Sequence, residues 1–408
     1  MKELYGPALL NQEIKTARSA DEILDLTVSH GDRFRPRDVA TAVNVLYKVA
    51  RERDILRGDP RYARLLELVR LRCRQFDARG VANVVHGLGV LCADKGAGDV
   101  DAETAGELMR AVEREAGILN AVDVANVYNG LSKLPAAAAV MSPELWRRLS
   151  EAASRLAVEM NSQHIANTLN ALGKIAAAAE KVSSAGWSRF ATAVERTSDA
   201  MNAQEVSNVV NAYAEMRERE APEAVSDAGW RSLAAAARRT APAMTSQNIS
   251  LTVDAAKKLD TFATAIDDDG WNQLARQVPR VARDFNAQEV ALVLSAVGWK
   301  IELARSLSRE GWDALIGSVE KHMDGIKKGY PPDLGKDSRK TRHSIMLISE
   351  HDDGAFMNER LERVRAELKE MLLADPVEAE RMETVDERIR AAAAAKAAAT
   401  NAGKPKAF

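Results

Sequence analysis

The sequence predicts an all-α fold: a right-handed α-solenoid of about seven helix-pair repeats of about 42 residues, with a helical C-terminal extension. Three observations predict it. A motif recurs along the chain, an aromatic landmark stands at a fixed distance before it, and the composition suits helices. Hydrophobic residues make up 46% of the chain, yet aromatics only 5%. Alanine carries much of the apolar content, and alanine has the best helix propensity while being depleted in sheets. Periodicity also overrides the prior of two or three domains for a chain of 408 residues, because repeats add length without adding separate cores.

The motif occurs at Phe34–Ala50, Phe76–Cys92, Leu119–Pro135, Met160–Ala176, Met201–Arg217, Met244–Asp260 and Phe285–Ile301. Its aliphatic anchors are Val39, Val81, Val124, Ile165, Val206, Ile249 and Val290, spaced by 42, 43, 41, 41, 43 and 41. Fourteen residues before the leading Phe or Met stand Tyr62, Trp146, Trp187, Trp230 and Trp271. Leu65, Leu149, Phe190, Leu233 and Leu274 follow three residues later, and Gly311-Trp312 with Leu315 opens one more such helix. Each unit therefore reads as helix A beginning near the Trp, a tight turn, then helix B through the Ala-Asn motif. Ser162, Ala203 and Ser246 sit where helix B begins, preceded by Asn161, Asn202 and Thr245. Those side chains can accept hydrogen bonds from the orphan N–H groups of a first helical turn. One helix pair cannot bury both of its apolar stripes, so neighbours stack on one elongated core.

Helix B has three distinct faces when drawn at about 100° per residue. Ile165, Leu169 and Leu172 form the stripe against helix A. Ala40, Ala82, Ala125, Ala166, Ser207, Ser250 and Ala291, one residue beyond each anchor, are small and let adjacent B helices approach. Opposite the core runs a polar stripe. It comprises Arg37, Thr41, Asn44 and Lys48; Arg79, Asn83, His86 and Val90; Val122, Asn126, Asn129 and Lys133; and Gln163, Asn167, Asn170 and Lys174. It continues with Gln204, Asn208, Asn211 and Glu215; Gln247, Leu251, Asp254 and Lys258; and Gln288, Leu292, Ser295 and Trp299.

The chain as a whole is slightly acidic, with 57 Lys and Arg against 59 Asp and Glu. Any case for a nucleic-acid partner must therefore rest on where charges sit. The stripe carries Arg37, Lys48, Arg79, Lys133, Lys174 and Lys258 against only Glu215 and Asp254. If the B helices line the concave side, the groove is weakly basic and rich in amides. Amides and guanidinium groups hydrogen-bond base edges while cations neutralise phosphates, and helical repeats can read single-stranded RNA with two or three side chains per base. The candidate RNA contacts are Arg37, Asn44, Lys48, Arg79, His86, Asn129, Lys133, Gln163, Asn170, Lys174, Gln204, Asn211, Gln247, Lys258, Gln288 and Trp299. The first Asn of each motif (Asn83, Asn126, Asn167, Asn208) is expected to form a structural ladder instead, and the Trp residues of helix A to be core.

Other chemistries lack their residues. The six His are scattered, and no His or Cys cluster has metal-ligand spacing. Gly87-Leu88-Gly89 continues to Cys92 where a dinucleotide fingerprint needs Gly, and no Walker or nucleophile-elbow sequence occurs. The expectation is a binding protein without catalytic residues, metal or cofactor. Cys73 and Cys92 read as reduced core thiols. His351-Asp352-Asp353 reads as a helix cap, and the sequon Asn248-Ile249-Ser250 falls inside helix B. No apolar run reaches the ~18 residues that span a bilayer, so no membrane partner is expected. The N-terminus, with Glu3 and Glu13, resembles neither a secretory signal nor an Arg-rich transit peptide.

The expected organisation is a solenoid over 1–326, a basic loop and capping patch over 327–350, and a charged helical extension over 351–408 ending in Ala and Lys. Gln163-His164-Ile165-Ala166-Asn167-Thr168-Leu169-Asn170-Ala171-Leu172-Gly173-Lys174 resembles the core of octotricopeptide-type repeats. Such repeats are related to the arrays of FAST-kinase-like and RAP-domain proteins. The lead-in through Asn11-Gln12-Glu13-Ile14 and His30-Gly31-Asp32-Arg33-Phe34 looks similar too, so the likeness spans about residues 8–326. It implies single-stranded RNA binding in chloroplasts or mitochondria, in RNA processing or stability. Two departures exist: Asn129, Asn170 and Asn211 replace the family's aromatic, and the period is longer. With Leu131-Ser132-Lys133-Leu134-Pro135, these resemble the SKWP repeats of bacterial type III effectors. That resemblance implies a scaffold in a host cell, holding a protein partner through the groove or the C-terminal helices.

Overall fold

The computed structural model of the chain describes residues 7–51 and 56–328. Every regular element among them is helical, and the chain divides into two compact units. One comprises residues 1–200 with 215–229, the other 201–214 with 230–408. The expected basic loop and charged extension, with His351-Asp352-Asp353, lie outside the described residues apart from the last turn of α20.

The first unit is built in two layers. One layer holds the A helices α2 (Ala20–His30), α4 (Pro60–Arg72), α6 (Ala102–Glu115), α9 (Pro143–Leu156) and α12 (Ser184–Thr197). The other holds α1 (Pro7–Thr16) and the B helices α3 (Pro36–Val49), α5 (Ala78–Asp94), α7 (Ala121–Leu131) and α10 (Ser162–Lys174). Within the B layer each helix packs on the next, α1 on α3, α3 on α5, α5 on α7 and α7 on α10. Short helices α8 (Pro135–Ala139) and α11 (Ala176–Ala179) follow two of the B helices, a third element that a helix-pair reading does not separate. Pro135 opens α8 at the position where its missing N–H costs nothing. The second unit repeats the plan with α13 (Ala203–Glu215), α14 (Asp227–Thr240), α15 (Ser246–Lys258), α16 (Asp260–Ala265), α17 (Asp268–Val281), α18 (Ala287–Trp299), α19 (Ile301–Ser306) and α20 (Arg309–Lys328). There α15 packs on α18, and α17 on α20.

Local chemistry sets where each helix starts. The side chains of Asp77, Asn120, Asn161, Asn202, Thr245 and Asn286 accept the N–H three residues on, at 2.7 to 3.3 Å. These caps include the three expected from sequence. Helix A is capped likewise by Ser19, Asp101, Ser142, Ser183, Ser226, Asp267 and Ser308. The landmark aromatics Tyr62, Trp146, Trp187, Trp230 and Trp271 are all buried, as is Trp312, so they are core. Full burial of one such large apolar side chain stabilises by about 1.5–3 kcal/mol. Tyr128 fills the same core from helix B, its hydroxyl 3.0 Å from Ser150 Oγ, which donates to the Ala178 carbonyl at 3.1 Å.

Six of the seven A–B turns are a single 3₁₀ turn, at Gly31–Arg33, Cys73–Gln75, Ala157–Glu159, Ser198–Ala200, Ala241–Ala243 and Ala282–Asp284, the exception being the turn from α6 to α7. Each ends on the leading Phe or Met of the motif, whose side chain is buried. The carbonyl of that residue meets a side chain of a helix A about 37 residues further on, an arginine of the last turn in five cases and His322, further inside α20, in the sixth. Arg72 donates to Phe34 (3.1 Å), Arg114 to Phe76 (2.6 Å) and Arg196 to Met160 (2.8 Å). Arg239 donates to Met201 (2.9 Å) and Arg280 to Met244 (2.5 Å), and His322 meets Phe285 at 2.8 Å.

Small residues set the spacing of the B layer. Ala40, Ala82, Ala125, Ala166, Ser207, Ser250 and Ala291 are all buried. Asn248 is buried too and donates to Ser207 Oγ at 2.9 Å, so the sequon is inaccessible. Gly89 and Gly130 bring α5 and α7 backbone to backbone. A Cβ on Gly130 would lie 2.4 Å from the Val85 oxygen.

Two outcomes test this account in urea unfolding. Gly130→Ala should destabilise by about 1–3 kcal/mol, since backbone rather than a movable side chain meets the new methyl. Arg196→Met should cost a similar ~1–3 kcal/mol, because the Ala157 and Met160 carbonyls both lose their charged donor.

Candidate nucleic-acid interface

The polar stripe of helix B faces solvent in both units, with a consistent profile along each helix. The first member is exposed: Arg37, Arg79, Val122, Gln163, Gln204, Gln247 and Gln288. These are second residues of their helices, set by the caps just described. The two middle members are half-buried through Asn211: Thr41 and Asn44, Asn83 and His86, Asn126 and Asn129, Asn167 and Asn170, Asn208 and Asn211. The last member is exposed in Lys48, Lys174, Glu215 and Trp299 and half-buried in Val90, Lys133 and Lys258. Lys133 falls in the turn just after α7 rather than on the helix.

The middle amides are the feature that sequence reading misjudged. Asn83, Asn126, Asn167 and Asn208 were expected to tie turns together as a ladder. Among the described residues, no side-chain hydrogen bond is made by these four or by Asn44, Asn129, Asn170 and Asn211. Asparagines elsewhere behave differently. Asn11 on α1 donates to Asp38 Oδ1 at 2.7 Å, and Asn120, Asn161, Asn202 and Asn286 cap helices. The stripe amides lie about one helical turn apart, and their donors and acceptors stay open to solvent or a ligand.

The cations divide differently from the count made on sequence. Lys133 pairs with Asp94 at 2.7 Å and Lys258 with Asp254 at 2.8 Å. Asp94 lies just past the stripe of its own helix, so its role was hidden in the sequence. Lys48 sits 5.5 Å from the Tyr47 ring centroid. Among the described residues no carboxylate reaches ion-pair distance of Lys48, Lys174, Arg37 or Arg79. His86 packs edge-on to Tyr47 with centroids 5.2 Å apart. Burial, with help from Lys133 and Lys48, pushes its pKa down to about 4. Burial and the nearby Lys133 likewise hold Lys174 below the ordinary lysine value. The two lysine neighbours thus mark one electropositive region across α3, α5, α7 and α10.

The second unit departs at its last two B helices. Asp254 and Ser295 are buried, and Lys257 Nζ lies 2.5 Å from Ser295 Oγ. Leu251 and Leu292 are half-buried, and Trp299 is 53% exposed. Cys73 is buried and Cys92 half-buried, both as free thiols, and burial with Asp99 pushes Cys92 up to about 12. Among the described residues no group of three His, Cys, Asp or Glu is placed to hold a metal, and no helix is long and apolar enough to cross a membrane.

A protein family of unknown function, DUF1601, matches residues 63–85, 145–169 and 272–294. Each match runs from helix A across the 3₁₀ turn into helix B: α4 to α5, α9 to α10, and α17 to α18. Comparison with curated proteins finds no match. A similar structure is a chain of the "Homology model of the full-length AP-3 complex in an intermediate open conformation". It is 11% identical over 89% of this chain and 75% of that one, with a TM-score of 0.27.

His86 gives this region a pH signature. Its pKa falls from 6.5 to about 4 on folding, so between those values the unfolded chain binds more protons. Stability therefore rises with pH through that window and is lost as pH falls from 6.5 towards 4. In urea melts at pH 7 and 4.5, His86→Gln should lose roughly 2 kcal/mol less than the wild type between the two conditions.

Proposed function

We propose that this protein binds single-stranded RNA along the solvent-facing stripe of its B helices. The observation that carries the proposal is the row of half-buried asparagine amides without hydrogen-bond partners, repeated from one B helix to the next. An amide presents a donor and an acceptor side by side, the pattern that the edge of an unpaired base answers. The lysines and arginines bordering the row supply the phosphate contacts that give nucleic-acid binding most of its affinity. The stripe offers directional recognition without convergent titratable groups, so we read the activity as binding rather than catalysis. The resemblance to octotricopeptide-type repeats supports the same reading and a place in organellar RNA processing or stability.

A second reading rests on a different observation. Leu251, Leu292 and the exposed Trp299 put apolar surface on the stripe of α15 and α18, which suits a protein partner. The SKWP-like features belong with that reading of an effector-type scaffold.

Selection of purified protein against random single-stranded RNA over a salt series separates the two. RNA binding predicts affinity that falls steeply with salt and an enriched short sequence. Asn129→Ala with Asn170→Ala should change the enriched sequence while leaving the salt slope as it was, because amides contact bases and not phosphates. Absence of binding at low salt would leave the scaffold reading.

A further inference from the structure

The lysines and amides of the first unit are not scattered over its stripe. Asn44 and Lys48, Asn129 and Lys133, and Asn170 and Lys174 are each four residues apart, on or just past the ends of α3, α7 and α10. Each pair places a cation one turn beyond an amide on the same side of the layer. A cation in a last helical turn is favoured by the helix dipole alone. The dipole does not account for a partnerless amide one turn before it in three helices of four. The fourth helix, α5, presents His86, packed on Tyr47 of α3, at the amide position and the half-buried Val90 at the cation position, so it carries no pair of its own. On α13, α15 and α18 the corresponding pairs are Asn211 and Glu215, the buried Asp254 with its ion-paired Lys258, and the buried Ser295 with Trp299. None of these joins an open amide to a cation.

Resting on the RNA reading above, we propose that the strand is held by the amide–cation pairs of α3, α7 and α10 and passes over α5 between them. Its phosphates follow Lys48, Lys133 and Lys174, and its bases turn towards the amides one turn back. A nucleotide offers a charged phosphate and a hydrogen-bonding edge side by side, and the repeated amide–cation pair matches both. Asp94 holds Lys133 at 2.7 Å until a phosphate competes for it.

The test uses the full chain and a labelled random single-stranded RNA, measured across salt. Lys48→Glu with Lys174→Glu should weaken binding more than tenfold and lower the salt slope by about 1.4, two phosphates' worth. Arg276→Glu with Arg305→Glu, the same charge reversal at exposed positions off the stripe on α17 and α19, should stay within twofold of wild type. Lys48→Gln with Lys174→Gln provides a milder change should the glutamates unfold the chain, which circular dichroism reports. Equal losses in the two sets, or a loss confined to the α17 and α19 set, would overturn the confinement to the first four B helices. Heparin displacing RNA at equal charge concentration would overturn the base-facing amides. Single-stranded DNA competing as well as RNA would retain the pairs and extend them to both strands' chemistry. Wild type that binds no RNA at low salt refutes the RNA reading itself, an outcome separate from all of these.

Discussion

The arrangement depends on one recurring constraint: the carbonyl left open at the end of six of the seven A–B turns. The 3₁₀ turn ends with the side chain of a Phe or Met in the core and its carbonyl without a helical acceptor role. Leaving such a group unsatisfied inside a protein costs about 1–3 kcal/mol. A basic side chain of a following helix A satisfies it, and Arg196 and Arg114 reach a second carbonyl of the same turn. One contact thus closes a turn, caps a helix and joins neighbouring helix pairs within a unit. Its donors are charged, so each bond is among the stronger kind.

That constraint leaves the B layer free to vary. The B helices pack closely on one another, and the A layer and the turns add aromatic burial, the arginine–carbonyl bonds and ion pairs such as Arg61 with Asp21, Asp25 and Asp59. The B helices need only a small residue facing each neighbour and an aliphatic stripe facing helix A. Gly89 and Gly130 show the limit of that closeness, with two helix backbones in contact. The stripe asparagines make no side-chain hydrogen bond among the described residues, and the stripe's composition changes from α3 to α18.

Charge follows the same division. Arg70 with Glu103, Arg74 and Arg110 with Glu107, and Arg238 with Asp267 link A-layer charges to each other. Exposed pairs of this kind are each worth only about 0–1 kcal/mol, but they cancel most of the charge they contain. A formal total of −2 therefore coexists with a local excess of lysine beside His86. Its neutral imidazole reports both the burial of its ring and the cations on either side.

The sequence by itself determined the all-helical architecture, the starts of helix B at Ser162, Ala203 and Ser246, their caps Asn161, Asn202 and Thr245, and the burial of the helix A tryptophans. Each follows from local periodicity and local hydrogen-bonding rules, which act over a few residues and are written in the chain. The placing of a polar stripe opposite the aliphatic face was legible for the same reason. Other features were not legible, because they join residues about 40 apart. The arginines at Arg72, Arg114, Arg196, Arg239 and Arg280 recur with the repeat, yet nothing local says that a backbone carbonyl is their partner. The pairing of Asp94 with Lys133, the burial of Asp254 and the open state of the stripe asparagines depend on which helix packs beside which. An amide can cap, ladder or stay free with the same sequence around it, and only the packed neighbours decide which groups come within reach.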